Sequence, residues 1–250
     1  MKKIYIIIIP IICILLTGCT KYEKMEYDKY LKLENVLSHD NTFFTEGLEY
    51  NNDKLYETSG ITNESFIAIN NQRNKSINNY FLEGLTFYKN KIYVLTYQNN
   101  KILILNKDTL EIEKEVDYDK EGWGLTNNKY QLIASDGTNK IYFMNEKLET
   151  IRTITVTINN KPVKGQLNEL EYINDKIWAN VWHKNTIYII DPTTGYVEKE
   201  LDFNNLIEKE QQNKVRQTMN GIAYNKNKVY ITGKYWDKTF EFTIKEKSTK

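Results

Sequence analysis

Acidic and amide side chains recur at one position of a repeated phrase in this 250-residue chain. The phrases are Glu46-Gly47-Leu48-Glu49-Tyr50, Glu83-Gly84-Leu85-Thr86-Phe87, Glu121-Gly122-Trp123-Gly124-Leu125, Asn168-Glu169-Leu170-Glu171-Tyr172 and Asn220-Gly221-Ile222-Ala223-Tyr224. Carboxylates gathered at one place repel each other and lose hydration, so some are pushed toward the protonated form. Such a group can do acid/base work or hold a cation. Equally, each acid can cap a turn or accept from a neighbouring backbone N–H. Lys234 after Thr232-Gly233 adds a cation, and Tyr97, Trp123, Trp182 and Trp236 add aromatic faces for a small cationic or amide group.

Other chemistries find little support. His39 and His183 are the two histidines, and neither has metal-ligand spacing to a second His or Cys. No phosphate loop and no G-x-S-x-G elbow occurs, and Ser59 and Ser135 lie in turns without an evident histidine partner. No metal and no cofactor is expected. The net charge of +1 gives no electrostatic reason to bind nucleic acid.

The elements that must carry these residues are β-strands. Aromatics make up 13% of the chain, mostly as 19 tyrosines, and only 3 prolines occur. That composition favours sheet over helical bundle. After each opening phrase comes a turn rich in Asn, Lys or Asp, then a second strand: Lys54-Leu55-Tyr56, Lys91-Ile92-Tyr93-Val94, Tyr130-Gln131-Leu132-Ile133, Lys176-Ile177-Trp178 and Lys228-Val229-Tyr230-Ile231. Third strands follow at Phe66 to Ile69, Ile102 to Leu105, Ile141 to Met144, Ile187 to Ile190 and Phe240 to Ile244. Five such units, each near 40 residues, predict an all-β five-bladed β-propeller. The first strand of each blade then lies nearest the axis, so the opening residues converge on one end of a central channel. The last unit lacks an outer strand, and Leu31 to Leu37 is predicted to supply it and close the ring. The polar insertions Asn159 to Gln166 and Asn204 to Gln217 either frame a site entrance or decorate loops, the second with a short helix.

The amino terminus carries a targeting signal. Lys2 and Lys3 precede an apolar run from Ile4 to Leu16, shorter than the about 20 residues that span a bilayer. Leu16-Thr17-Gly18-Cys19 resembles a bacterial lipobox, which implies cleavage before Cys19, lipid on its sulfur and a place on the outer face of the membrane. Residues 1–18 are therefore expected as signal peptide, 19–30 as a tether and 31–250 as the propeller. With Cys13 lost in the leader, the mature chain needs no disulfide.

From Phe43 to Ile244 the chain resembles the plant-type glutaminyl-peptide cyclotransferases, called glutamine cyclotransferases in bacteria. The resemblance lies in Phe44-Thr45-Glu46-Gly47-Leu48, Phe81-Leu82-Glu83-Gly84, Leu95-Thr96-Tyr97, Glu121-Gly122-Trp123-Gly124-Leu125, Ser135-Asp136-Gly137, Asn168-Glu169-Leu170-Glu171, Ala179-Asn180-Val181-Trp182, Asn220-Gly221-Ile222-Ala223-Tyr224 and Thr232-Gly233-Lys234, in order. It implies a five-bladed propeller that converts N-terminal glutamine of peptides or proteins to pyroglutamate and releases ammonia, without a metal. It assigns proton transfer to Glu83, oxyanion stabilisation to Lys234 and Asn168, and substrate holding to Trp123, Trp182, Phe44 and Phe81. Two positions depart from the family's pattern. Glu46 stands where glutamine is common, where it can bind the substrate ammonium or couple to Glu83. Tyr97 stands where tryptophan is common and adds a hydroxyl to the pocket wall. The expected partners are Gln-initiated peptides and, through the lipid alone, the membrane, with the protein acting as a monomer. The alternatives are a propeller that only binds an exported ligand, or a cation-dependent propeller hydrolase.

Overall fold

The computed structural model describes residues 21–210 and 217–245; the expected leader and the expected lipid anchor on Cys19 lie outside them. Strand β1 (Glu23–Glu26) and a 3-10 turn (Tyr27–Lys29) lead into β2 (Leu31–Ser38). Blade one holds β3 (Thr45–Asn51), β4 (Lys54–Ser59), β5 (Phe66–Ile69) and β6 (Gln72–Ser76). Blade two holds β7 (Leu82–Tyr88), β8 (Lys91–Thr96), β9 (Lys101–Asn106) and β10 (Ile112–Asp117). Blade three holds β11 (Leu125–Asn127), β12 (Leu132–Ser135), β13 (Lys140–Met144) and β14 (Thr150–Thr155). A small hairpin, β15 (Thr157–Ile158) and β16 (Lys161–Pro162), fills the first polar insertion. Blade four holds β17 (Leu167–Ile173), β18 (Lys176–Val181), β19 (Thr186–Ile190) and β20 (Val197–Asp202). Helix α1 (Asn204–Lys209) precedes blade five, made of β21 (Thr218–Asn225), β22 (Lys228–Lys234) and β23 (Lys238–Ile244).

The sheets are antiparallel meanders whose first strands ring the axis in the order β3, β7, β11, β17, β21 and back to β3. As expected, β2 pairs antiparallel with β23, from Leu31 against Ile244 to Ser38 against Lys238, and completes blade five. Closure by the opposite end of the chain removes an open edge.

The expected tether differs. Glu23–Glu26 runs parallel to β20 as a fifth strand of blade four, and Tyr27 stacks on Phe203 with ring centroids 5.0 Å apart. Met25, Tyr27 and Tyr30 pack against the core between blades four and five. Three apolar or aromatic residues in a charged stretch, too irregular to show periodicity, are enough to dock it.

The hairpins joining first and second strands follow from local chemistry. Four of them have two-residue loops, Asn52-Asp53, Lys89-Asn90, Asn174-Asp175 and Lys226-Asn227, with positive φ at both positions. That is the primed turn whose twist suits a β-hairpin, and Asn and Asp tolerate it best after glycine.

A second recurring device aims the channel residues. In blade two, Leu82 pairs with Thr96 but Leu85 pairs with Val94, so Glu83 and Gly84 together oppose Leu95. The same slip occurs between Thr45 and Gly47, Leu167 and Leu170, and Met219 and Ile222. A bulge of this kind adds one residue and redirects side chains. Leu82 and Leu85, which strict alternation would set on opposite faces, both enter one core cluster, and so do Leu167 with Leu170 and Met219 with Ile222.

Candidate active site

Register fixes which residues are equivalent. Leu48, Leu85, Leu125, Leu170 and Ile222 face matching positions of their second strands, opposite Glu57, Val94, Ala134, Ala179 and Ile231. Counting back two residues, the ring at the channel mouth is Glu46, Glu83, Trp123, Asn168 and Asn220. Blade three thus contributes Trp123 and not Glu121, which is exposed, with its carboxylate 3.5 Å from Trp123 Nε1. The expectation that Glu121 shares the place of Glu83 is corrected. Glu121-Gly122 and Trp123-Gly124 both look like the repeat, and only pairing tells them apart.

Next along each first strand comes Gly47, Gly84, Gly124, Glu169 and Gly221. Inner strands pack so closely here that a Cβ on Gly84 would lie 2.4 Å from Leu125 N, and one on Gly124 would lie 2.1 Å from Asn168 O. Glu169 is the exception, and its carboxylate accepts from the backbone N–H of Ile222 (2.8 Å) and of Leu48 (3.4 Å). Glu171 likewise accepts from Tyr224 N (2.9 Å) and from the Thr126 hydroxyl (3.1 Å). Burial pushes both of these acids well above the usual carboxylate range. They bridge first strands of different blades, as backbone acceptors do. The backbone-acceptor role weighed from sequence therefore holds for Glu169, and Glu171 plays it as well.

At the mouth the arrangement is different. A cavity of ≈ 170 Å³ is lined by Phe44, Glu46, Phe81, Glu83, Tyr97, Trp123, Asn168, Trp182 and Lys234. That volume is well below the roughly 300–1,000 Å³ of drug-sized sites and suits the end of one residue. All nine side chains expected at the site from sequence meet here. The aromatic wall is continuous: Phe44 and Phe81 lie 6.4 Å apart, Phe81 and Tyr97 5.7 Å, Tyr97 and Trp123 6.5 Å, and Trp123 and Trp182 5.5 Å, the last nearly perpendicular. Gly137, with φ of +74°, lies against the Trp123 indole, where an added Cβ would come within 2.6 Å. Trp236 is not part of this wall; it is fully buried in the core of blade five.

The polar floor has one ion pair and free acceptors. Lys234 Nζ donates to Glu46 Oε1 at 2.7 Å and lies 4.3 Å from the centre of the Phe44 ring. Asn220 Nδ2 donates to Thr45 O at 2.9 Å and faces Glu46 Oε2 at 3.3 Å. Glu46 and Glu83 line the same cavity from adjacent blades, close enough for each carboxyl to influence the other. Glu83 Oε2 and Asn168 Oδ1 are buried without a partner. Burial, then the neighbouring Glu46, drives Glu83 well above the ordinary carboxylate range, against the pull of Lys234. Glu46 is raised by burial and opposed by Lys234. Unpaired buried acceptors cost about 1–3 kcal/mol each, so a ligand bringing N–H donors finds them ready.

Several singled-out residues have structural duties. Ser135 Oγ donates to Asn168 O at 2.7 Å and accepts from Gly124 N at 2.8 Å. Ser59 Oγ accepts from Phe44 N at 2.9 Å. His183 is exposed and lies against Trp182. Sequence reasoning missed His39, whose Nε2 lies 3.1 Å from Glu57 Oε2 and whose Nδ1 lies 2.7 Å from Trp236 O. Glu57 also accepts from Thr45 Oγ1 at 2.7 Å, so the pair fastens the seam behind Glu46 and Lys234. No motif marks two residues 18 apart as partners across a ring closure. Among the described residues no cluster of three or more His, Cys, Asp or Glu is arranged to hold a metal ion.

The sequence model of the glutamine cyclotransferase family matches residues 9–244. The chain belongs to this family of enzymes. A glutaminyl-peptide cyclotransferase from Arabidopsis thaliana is 31% identical over 226 residues, spanning 85% of this chain and 70% of that protein. The crystal structure of glutaminyl cyclase from Myxococcus xanthus superposes with a TM-score of 0.79 at 24% identity, over 90% of this chain and 99% of that one. It shares the fold described here. A nidogen/laminin complex shares it more distantly, with a TM-score of 0.52 at 13% identity over 77% of this chain and 73% of that one.

Proposed function

We propose that this cyclotransferase-family member converts the N-terminal glutamine of peptides to pyroglutamate, with Glu83 transferring the protons. The α-amine attacks the side-chain carboxamide carbon, the amine loses a proton, and ammonia departs with one. A single group that takes the first proton and returns it serves both steps, and such catalysis contributes roughly 10²–10⁴-fold.

One observation carries the reading. Glu83 presents a buried, unpartnered carboxyl oxygen to a small aromatic cavity. Asn168 Oδ1 adds a second free acceptor, which suits a substrate end that brings amine and amide N–H groups. Trp123, Trp182, Tyr97, Phe44 and Phe81 enclose the glutamine side chain and hold amine and carboxamide in reach. Lys234, committed to Glu46, steadies the floor's charge, and its ammonium is the nearest cation to a developing oxyanion.

The test is incubation with a Gln-initiated peptide and measurement of ammonia. Turnover by the wild type and a 10²–10⁴-fold loss in Glu83→Gln is expected; no turnover above that variant overturns the reading. We further propose that the enzyme is exported and held to the membrane by lipid on Cys19. Expression in a bacterium fed a labelled fatty acid tests this, since Cys19→Ala abolishes the label if the proposal holds.

A further inference from the structure

We propose that Glu46 and Glu83 hold one proton between them, and that Glu46, acting through Glu83, sets the pH range in which Glu83 both accepts and donates. The inference rests on the reading of Glu83 as the proton-transfer group.

Three observations lead to it. The two residues occupy the same bulged position in adjacent blades, which turns both side chains into the channel mouth. They are buried, at 2% and 5% exposure, and line one small cavity together. Finally, the donors on the floor are unevenly shared: Lys234 and Asn220 both serve Glu46, while Glu83 Oε2 has no partner. Two ionised carboxylates beside one ammonium would leave a net charge among buried side chains, which is costly. One proton removes it, giving two carboxyl groups, one proton, one ammonium and no net charge. The donors on Glu46 stabilise its ionised form, so the proton rests on Glu83.

The groups facing the pair are Lys234 from β22, Asn220 from β21, Asn168 from β17, Tyr97 after β8 and, more remotely, Glu121 before β11. Lys234 is the cation among them, which makes the count of one proton a property of the pair.

The pair gives the reaction a balanced relay. As the α-amine nitrogen bonds to the carboxamide carbon, an amine proton passes to the free oxygen of Glu83, while the proton already there moves onto Glu46. As the bond to the departing nitrogen breaks, Glu83 gives that nitrogen a proton and recovers its own from Glu46. One C–N bond forms, one breaks, ammonia leaves, and the pair again holds one proton. Its two proton losses are macroscopic properties of the pair.

Infrared difference spectra of the intact protein near neutral pH test the resting state without reference to activity. Glu49, Glu169 and Glu171 absorb as protonated carboxyls in both proteins and cancel, so the wild-type minus Glu46→Gln difference spectrum should hold one protonated-carboxyl band, because Glu83 ionises beside a freed Lys234 in the variant. A difference spectrum without that band overturns the proposal. The pH profile of kcat/KM with a Gln-initiated peptide tests its use. Wild type should lose activity at alkaline pH as the shared proton leaves. Glu46→Gln should lose that limb and begin to act at lower pH, with kcat down on the order of 10-fold; an unchanged profile overturns the relay. Should Glu46→Gln fail to fold, Glu46→Asp keeps a carboxyl at shorter reach and must move the alkaline limb; an unmoved limb overturns the proposal. If wild type releases no ammonia, the cyclisation reading fails, while the infrared comparison still decides whether the proton is shared.

Discussion

The ammonium of Lys234 lies 2.7 Å from Glu46, and not on Glu83, the buried carboxyl with an unpartnered oxygen. Replacing Lys234 by Met therefore strands two buried acids. Both carboxyls shift further upward, since a cation that lowered them is gone. Breaking a buried pair costs about 3–5 kcal/mol when the remaining charge is kept, and less if protonation removes it. The expected outcome is a lower Tm at pH 8 than at pH 5 relative to wild type, measured by thermal unfolding across that range.

Gly137 supports the Trp123 indole from behind. Ala at this position faces both a positive φ and an indole 2.6 Å from its Cβ. The ring, which lines the cavity, must then shift. Displacement on the order of 1 Å in a positioning group can cost about 10²-fold, so kcat/KM of Gly137→Ala should fall by roughly 10- to 100-fold with the circular dichroism unchanged. Wild-type kinetics in this variant would remove Trp123 from the positioning role.

His39 ties the strand that closes the ring to blade one. Its two ring nitrogens face acceptors, Trp236 O and the Glu57 carboxylate, so both must donate and the ring is an imidazolium. Burial pulls its pKa down, but Glu57 outweighs this and holds it above the usual histidine value. A raised folded-state value gives stability that is full below the unfolded value of about 6.5 and lost as pH rises through the folded one. His39→Gln should lower stability by about 3–5 kcal/mol at pH 6 and flatten the slope above it, as read from urea unfolding.

The acids near the channel axis act in the same sense. Burial raises Glu169 and Glu171, and pushes Glu49 up to about 8. Between the unfolded value, near 4.5, and these raised values the folded protein binds more protons than the unfolded chain. Their stabilisation is thus present below about pH 4.5 and lost as pH rises toward 8, by about 1.4 kcal/mol per pH unit for each group. Glu171→Gln, which keeps a carbonyl acceptor for Tyr224 N, should flatten the fall in Tm between pH 5 and pH 8. An unchanged slope would show that Glu171 is ionised in the fold.

The strands, their turns and the five-fold repeat were legible in the sequence because each is local. Alternation needs neighbours two residues apart, and the Asn-Asp and Lys-Asn turns carry their own φ preference. The spare strand Leu31 to Leu37 was legible by counting, since a closed ring needs a partner for β23. Seven of the nine pocket residues were legible from the repeat and its flanking aromatics, and Phe44 and Phe81 from resemblance alone; the structure brings all nine together because the ends of first and second strands of several blades meet at one mouth of the ring. Pairing alone decided that Trp123, and not Glu121, takes the place of Glu83, because Glu121-Gly122 and Trp123-Gly124 both fit the repeat and only the register of Leu125 against Ala134 chooses between them. Docking of Glu23–Glu26 on blade four, the His39–Glu57 seam and the choice of Lys234 for Glu46 are likewise tertiary outcomes. Each joins residues far apart in the chain or in different blades, and its energy depends on burial that exists only once the ring is closed.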